Sequence, residues 1–373
     1  MKEPFTLYSS GIALARFAAE RADITHSGRD ILGLDFSEPR PMTAQNDTDY
    51  AAVKLQPYRL LTLRTEFEAA AASAPAEFSV DGLRYTRAER NGLLYYIQRG
   101  VKFPCDALFR DGRLIAWLCP CREQANLLVR DGFEEYTPLA LWKDYAARPL
   151  YGVSMLGTFH MPMRDGVELA ADVYLPEGAP LPVPALLVRT PYDKDDGAQT
   201  YFRYVRRGYA VVVQDVRGRN ESGGEWLPHY YEVEDGDDTL TWVGTQEWCD
   251  GSVGMLGGSY LGYTQWCAAA LGNPHLKAMI SVVTAGTAFA DGPLHGCCFS
   301  SGGFAWNFAM TKRRFAPERM DRADWDEILD IRPLEDIGQK ALGEDVPFIR
   351  KMLAHPCEDS FWLRGNWAKR STG

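Results

Sequence analysis

Long apolar runs are missing from this chain: no stretch reaches the ~18 residues that a membrane-spanning helix needs, so no membrane partner is expected. The opening residues, Met1-Lys2-Glu3-Pro4-Phe5, do not read as a secretory leader, since Arg16, Glu20 and Arg21 interrupt the alanines that follow, so none is expected. Positive charge is also in short supply, with 40 Lys and Arg against 50 Asp and Glu and a net charge of -10. Nucleic acid and anionic lipid repel such a chain at long range, so nucleic acid is not an expected partner either. Paired cysteine spacing is a further absence. The eight cysteines, at 105, 119, 121, 249, 267, 297, 298 and 357, are scattered. Cys119-Pro120-Cys121 comes nearest to a cluster, but no second Cys or His pair completes a zinc site. Free thiols in a reducing, cytoplasmic setting are expected, with no metal.

What the chain does have is a globular composition, 46% hydrophobic and 24% charged, over a length that accommodates two domains. Residues 1–45 read as an N-terminal tail in which Gly11 to Ala22 fits a short helix and Ser37-Glu38-Pro39-Arg40-Pro41 fits a loop. Residues 46–150 read as a small α+β domain and connector. In it Asp49 to Ala74 fits a strand running into a helix, Arg87 to Gly100 an amphipathic element, and Asp111-Gly112 the turn of a hairpin.

The pattern sharpens over 151–290. Met155 to Met163 and Val167 to Leu175 flank Arg164-Asp165-Gly166 as a hairpin, and Pro184 to Arg189, Tyr209 to Asp215 and Leu276 to Val283 are apolar without alternation. Such runs mark strands covered on both faces. Helical segments at Gln199 to Arg207, Glu232 to Gln246 and Tyr260 to Ala270 alternate with them, which predicts a mostly parallel sheet with helices on both sides. Its site is expected where the strands end, at Thr190-Pro191-Tyr192, Asp215 and Ser259. Residues 291–373 are Gly-rich and aromatic, then charged and helical, and read as a cap over the rim of the sheet.

Within that pattern the stretch Gly257-Gly258-Ser259-Tyr260-Leu261-Gly262 lies between the apolar run Val253 to Leu256 and a helix. A serine on a tight strand-to-helix turn projects its hydroxyl from the end of a sheet, which makes Ser259 a candidate nucleophile. The spacing is Gly-x-Ser-x-x-Gly, with Leu261 where the commoner pattern has a second glycine. The backbone N–H of Tyr260 is placed to meet a developing oxyanion. Asp215 and Arg217 read as a structural brace, and Glu232, Glu234 and Asp235 as the acidic first turn of a helix, without assigned chemistry.

Six blocks in order carry a resemblance: Met163-Arg164-Asp165-Gly166-Val167, Arg189-Thr190-Pro191-Tyr192-Asp193-Lys194, Gln214-Asp215-Val216-Arg217-Gly218, Ser222-Gly223-Gly224-Glu225, Trp248-Cys249-Asp250-Gly251 and the Ser259 turn. From about residue 150 onward the chain resembles the Xaa-Pro dipeptidyl-peptidase and cocaine-esterase-like branch of the α/β-hydrolases. The resemblance implies an α/β fold with a helical cap, and serine-dependent hydrolysis of an ester, amide or peptide through an acyl-enzyme on Ser259. It implies the Tyr192 phenol as a second oxyanion donor, and no cofactor.

It also implies an acid and a histidine on later strands, which residues up to Gly373 do not supply, so the C-terminus reads as truncated. His275 precedes its strand, His295 follows it, His355 belongs to the cap, and His160 and His229 lie before the nucleophile; none is assigned as the base. The residues leave open an incomplete hydrolase, an inactive hydrolase-like binding protein, or a remodelled site using His295. A sheet without its last strands exposes an apolar edge, so a complementing chain or a second copy is the expected cover.

Overall fold

The computed structural model describes residues 2–29, 35–101, 103–121, 124–143, 150–291, 294–295, 298–299 and 301–371. It divides into two units, Met1–Pro149 and Leu150–Gly373.

The first unit is built on one antiparallel sheet. Its strands are β1 (Glu3–Ser9), β2 (Ile12–Glu20), β3 (Asp23–Arg29), β4 (Asp35–Pro41), β5 (Glu77–Val80), β6 (Leu83–Arg90), β7 (Leu93–Gln98), β8 (Asp106–Arg110), β9 (Arg113–Cys121) and β10 (Gln124–Arg130). Their order is β4-β3-β2-β1-β10-β9-β8-β7-β6-β5, so two meanders meet where β1 pairs with β10. Ser10-Gly11, Asp81-Gly82, Asn91-Gly92 and Asp111-Gly112 all carry two successive positive φ angles. That is the twist of a two-residue type I′ hairpin turn, and it sets the register on either side. Helix α1 (Pro57–Ala71) lays Leu61 and Phe67 into the core, the Phe67 ring standing edge-on to Tyr85 and Trp117. Asp47 caps it from a distance, its carboxylate accepting the amides of Tyr58 at 2.7 Å and Arg59 at 3.1 Å.

The described residues of 3–29 and 35–41 are therefore strands and the turns between them, which corrects the expected tail and the loop expected at Ser37-Glu38-Pro39-Arg40-Pro41. Gly11 to Ala22, expected as helix, holds β2: Ala15, Phe17 and Ala19 are buried against the core at alternate positions, the spacing of one face of a sheet. Arg87 to Gly100 contains the end of β6 and all of β7, and Asp49 to Ala74 begins with a 3-10 turn, Ala44–Val53, in place of a strand.

The second unit holds a six-stranded sheet: β11 (Gly152–Pro162), β12 (Glu168–Glu177), β13 (Val183–Thr190), β14 (Ala210–Asp215), β15 (Cys249–Gly258) and β16 (Leu276–Val282), ordered β11-β12-β14-β13-β15-β16. Only β12 runs against the others. Helix α2 (Phe202–Val205) covers one face, where Val188, Val211, Val213 and Leu256 are buried. Helices α3 (Glu232–Gly244) and α4 (Tyr260–Ala269) cover the other, over Leu187, Val212 and Met255. All six residues of β14 are buried, which accounts for its lack of alternation. This is the α/β-hydrolase type of layer.

After β16 come two-residue strands β17 (Leu294–His295) and β18 (Cys298–Phe299). Short helices follow: α5 (Ser301–Ala309), α6 (Trp325–Leu329), α7 (Ile337–Leu342), α8 (Pro347–Leu353), α9 (Ser360–Gly365) and α10 (Trp367–Arg370). Phe304, Phe308, Ile349, Met352 and Trp362 share one apolar cluster with Val233 of α3 and Cys267 of α4, which seats these helices on the core. Among the described residues no helix is long and apolar enough to cross a membrane.

Candidate active site

Ser259 lies between β15 and α4 with φ 58° and ψ -122°, a backbone conformation that costs on the order of 1–3 kcal/mol for a residue with a side chain. Several contacts hold it there. Its N–H donates to the Val282 carbonyl at 2.9 Å, and its carbonyl accepts the amides of Gly262 and Tyr263 at 3.0 and 3.1 Å. Gly257 has no room for a side chain, since a Cβ would meet Leu261 Cβ at 2.5 Å. The strained turn leaves Ser259 exposed while Tyr260, its neighbour, is buried. Tyr260 opens α4, so its amide is among those that a helix leaves without a partner in the first turn.

Ser259 borders a cavity of about 150 Å³ whose walls include Tyr192, His229, Tyr260, Tyr263 and Trp306. Tyr192 follows β13; its N–H donates to Thr190 Oγ1 at 3.1 Å and its hydroxyl accepts from Trp306 Nε1 at 3.2 Å. The loop carrying it is anchored by Arg219, wholly buried, which donates to the Pro191 carbonyl at 2.9 Å and to the carbonyls of Met310 and Lys312. The structure thus brings the three sequence-predicted residues, Ser259, Tyr192 and Tyr260, to one place.

Behind them runs a buried polar chain. Tyr260 Oη donates to Glu232 Oε1 at 2.8 Å, and Glu232 is paired with the fully buried Arg189 at 2.8 Å. Burial and the neighbouring Glu232 hold the Tyr260 phenol well above its ordinary pKa, so it stays a donor. The same hydroxyl accepts the backbone N–H of His229 at 3.0 Å. Glu232, expected only as part of an acidic helix start, thus anchors the Tyr260 side chain. The usable signal was its partner: a lone arginine, Arg189, in an otherwise apolar strand.

His229 is the other residue that the sequence did not single out. It sits at φ 64°, its ring stacked on Tyr260 at 4.6 Å and edge-on to Tyr263 at 4.7 Å. Burial lowers its pKa to about 4, so the ring is neutral near pH 7.

The remaining candidates are structural. Asp215 accepts from the Lys194 amide and the Asn220 side chain, and burial pushes its carboxyl up to about 6. Arg217 is braced by Asp235 at 2.6 Å and Asp165 at 2.8 Å, tying the β11–β12 turn to α3. His275 Nδ1 lies 3.0 Å from the Gly251 carbonyl, at the opposite end of β16 from Ser259, and His355 pairs with Asp359 at 2.6 Å. The side chains of His295, Cys297 and Cys298 lie outside the described residues. Among the described residues no group of three or more His, Cys, Asp or Glu is arranged to hold a metal.

Residues 165–373, more than half of the chain, match the family model for the X-Pro dipeptidyl-peptidase, S15 family. The chain belongs to the S15 family. The S15 match contains the Ser259 turn, Tyr192 and the Arg189–Glu232 pair, and leaves the first unit outside it. Over 132 residues the chain is 52% identical to a cocaine esterase of Rhodococcus sp. (strain MB1 Bresler), covering 34% of this chain and 23% of that one. Among solved structures it is similar to an alpha-amino acid ester hydrolase, at 26% identity and a TM-score of 0.48, covering 60% of this chain and 40% of that one. A CocE/NonD family hydrolase from Staphylococcus aureus is similar at 24% identity and a TM-score of 0.40, covering 57% of this chain and 38% of that one. This S15-family chain therefore spans less than half the length of each of these relatives.

Proposed function

We propose that this chain carries the nucleophile and the oxyanion donors of a serine hydrolase that cleaves ester or amide bonds. The observation that supports it best is the exposed, strained Ser259 on a strand-to-helix turn, sharing a cavity with the Tyr192 hydroxyl. In this reading Ser259 Oγ attacks the carbonyl carbon and gives its proton to a base. The negative charge formed on the carbonyl oxygen is received by the Tyr260 amide and the Tyr192 phenol, the alcohol or amine leaves with a proton, and water then releases the acid. Donors fixed in place before the reaction contribute most, because they need not reorganise as the charge develops. Trp306 and Thr190 hold Tyr192, and Glu232 holds the ring of Tyr260, in such a fixed arrangement.

His229 is a weak base for this step, because burial keeps its pKa near 4. The base is therefore assigned to a residue other than His229. Substrates are proposed to be small esters first, by likeness to the Rhodococcus esterase, with Xaa-Pro amides as the alternative that the family name carries. No cofactor enters this chemistry.

The outer edge of β16 has no strand partner among the described residues, and Ile280 is 52% exposed there. A complementing chain or a second copy of this one is the proposed cover. The Leu150–Gly373 unit is assigned the chemistry, and the scattered spacing of the cysteines supports a cytoplasmic setting.

The test is labelling of the full chain with a fluorophosphonate, alongside turnover of chromogenic esters and Xaa-Pro amides, each against Ser259→Ala. An adduct on Ser259 that the alanine variant lacks is the expected result. A wild-type chain that takes no label removes the reading.

A further inference from the structure

His229 has features that packing alone does not require. It holds a positive φ of 64°, its ring is sandwiched among Tyr260, Tyr263 and Trp306, and it faces the cavity that Ser259 borders. Among the described residues neither imidazole nitrogen has a hydrogen-bond partner; only its backbone N–H is bonded, to Tyr260. A polar ring kept in a strained conformation, with its nitrogens unpaired beside a cavity, is open to a ligand that packing alone does not call for. A phenylalanine supplies the same stacking without polar atoms to desolvate.

We propose that His229 is a specificity-determining residue, its imidazole hydrogen-bonding an uncharged polar substituent on the flat acyl group that lies against Tyr260, Tyr263 and Trp306. This deepens the serine-hydrolase reading and rests on it for the identity of the cavity. The aromatic walls suit a planar group by stacking, and the ring nitrogens of a neutral imidazole offer one donor and one acceptor. The favoured ligand is thus an aryl or similarly flat acyl group bearing a hydroxyl, carbonyl or amide. One bearing only carbon leaves the imidazole desolvated and unpaired. The Tyr260–Glu232–Arg189 chain fixes the turn on which His229 sits, so the ring is presented and not merely tolerated.

The experiment uses the full chain and two probe sets. Phenylboronic acid and its hydroxy- and acetamido-substituted derivatives form an adduct only with an activated serine. Benzoic acid and the same substituted acids need no such adduct. Binding is followed by calorimetry in wild type, His229→Phe, His229→Asn and Ser259→Ala.

The expected result is that at least one substituted acid binds wild type about fivefold more tightly than benzoic acid, as one net hydrogen bond allows. His229→Phe erases that margin while leaving benzoic acid unchanged. His229→Asn, which tolerates positive φ and keeps a donor and an acceptor, retains part of it and guards against a folding defect in the phenylalanine variant. A margin that survives in His229→Phe overturns the proposal, as does a wild type that shows no preference among the acids or binds none. Boronates that fail on wild type while the acid margin holds and is lost in His229→Phe count against the Ser259 chemistry and leave His229 standing.

Discussion

Tyr260 Oη donates to Glu232 Oε1 at 2.8 Å, so the residue beside the candidate nucleophile is moored to a carboxylate that is buried and paired with Arg189. The mooring crosses from α4 to the start of α3 and ends on β13, which makes the elbow and the oxyanion side one connected piece. Replacing Glu232 with Gln keeps a hydrogen-bond acceptor for Tyr260 but leaves the Arg189 guanidinium buried without its counter-charge. Destabilisation by about 3 to 5 kcal/mol is expected, read from the shift in a urea unfolding midpoint.

The role assigned to the Tyr192 phenol has a kinetic signature. In Tyr192→Phe the ring still packs edge-on to Phe315 at 5.2 Å, while the donor to the oxyanion is lost. On any ester that the wild-type chain turns over, kcat should fall roughly 10²-fold with KM little changed, because the bond strengthens only in the transition state. A change confined to KM counts against the assignment.

Gly365 links the last helices to the site. A Cβ there would fall 1.9 Å from the His229 carbonyl oxygen, and the Gly365 carbonyl accepts from Tyr263 Oη at 2.5 Å. Gly365→Ala must displace either α9 or the strained turn at His229. A loss of roughly 1–3 kcal/mol is expected, together with a weakening of ligand binding in the Ser259 cavity that calorimetry would detect.

Stability below neutral pH is set partly by two buried groups of opposite sign. His229, held at about 4 against an ordinary 6.5, is neutral in both the folded and the unfolded chain above pH 6.5. Between about pH 6.5 and 4 the unfolded chain takes up a proton that the folded chain refuses, so stability falls, by on the order of 3 kcal/mol in all. Asp215, raised to about 6 from 3.8, acts in reverse: its burial costs stability at pH 7, and that loss is relieved as pH falls from 6 towards 3.8. Comparing urea midpoints at pH 7 and 4.5, His229→Phe should lose less on acidification than wild type, and Asp215→Asn should lose more. Parallel behaviour of all three chains would refute the assignment.

The open edge of β16 makes a prediction about association. Ile280 is 52% exposed on an edge strand whose outer backbone groups have no strand partner among the described residues. Ile280→Lys should reduce concentration-dependent self-association in sedimentation velocity, without lowering the thermal midpoint, since little packing is removed.

Much of the second unit was legible because its signals are local. Unbroken apolar runs such as Val211-Val212-Val213 mark a strand buried on both faces, and a glycine-flanked serine between strand and helix marks an elbow wherever it occurs. The strands between residues 3 and 29 were less legible, because the register shift in β2 buries both Leu14 and Ala15 and so breaks its alternation. Ser10-Gly11, Asp81-Gly82 and Asn91-Gly92 carry the same turn chemistry as Asp111-Gly112, the one hairpin recognised there.

By itself the sequence determined Ser259 as a hydroxyl on a strand-to-helix turn, Tyr260 as the first residue of the helix after it, and the parallel layer beneath them. All of these follow from backbone geometry within a few residues; Tyr192 came from the family resemblance. Only the tertiary structure decided that β1 closes against β10, that Glu232 moors Tyr260, and that His229 faces the cavity under the press of Gly365. Those relationships join positions far apart in the chain, where no periodicity or turn preference acts; they exist because packing leaves buried polar groups no other partners.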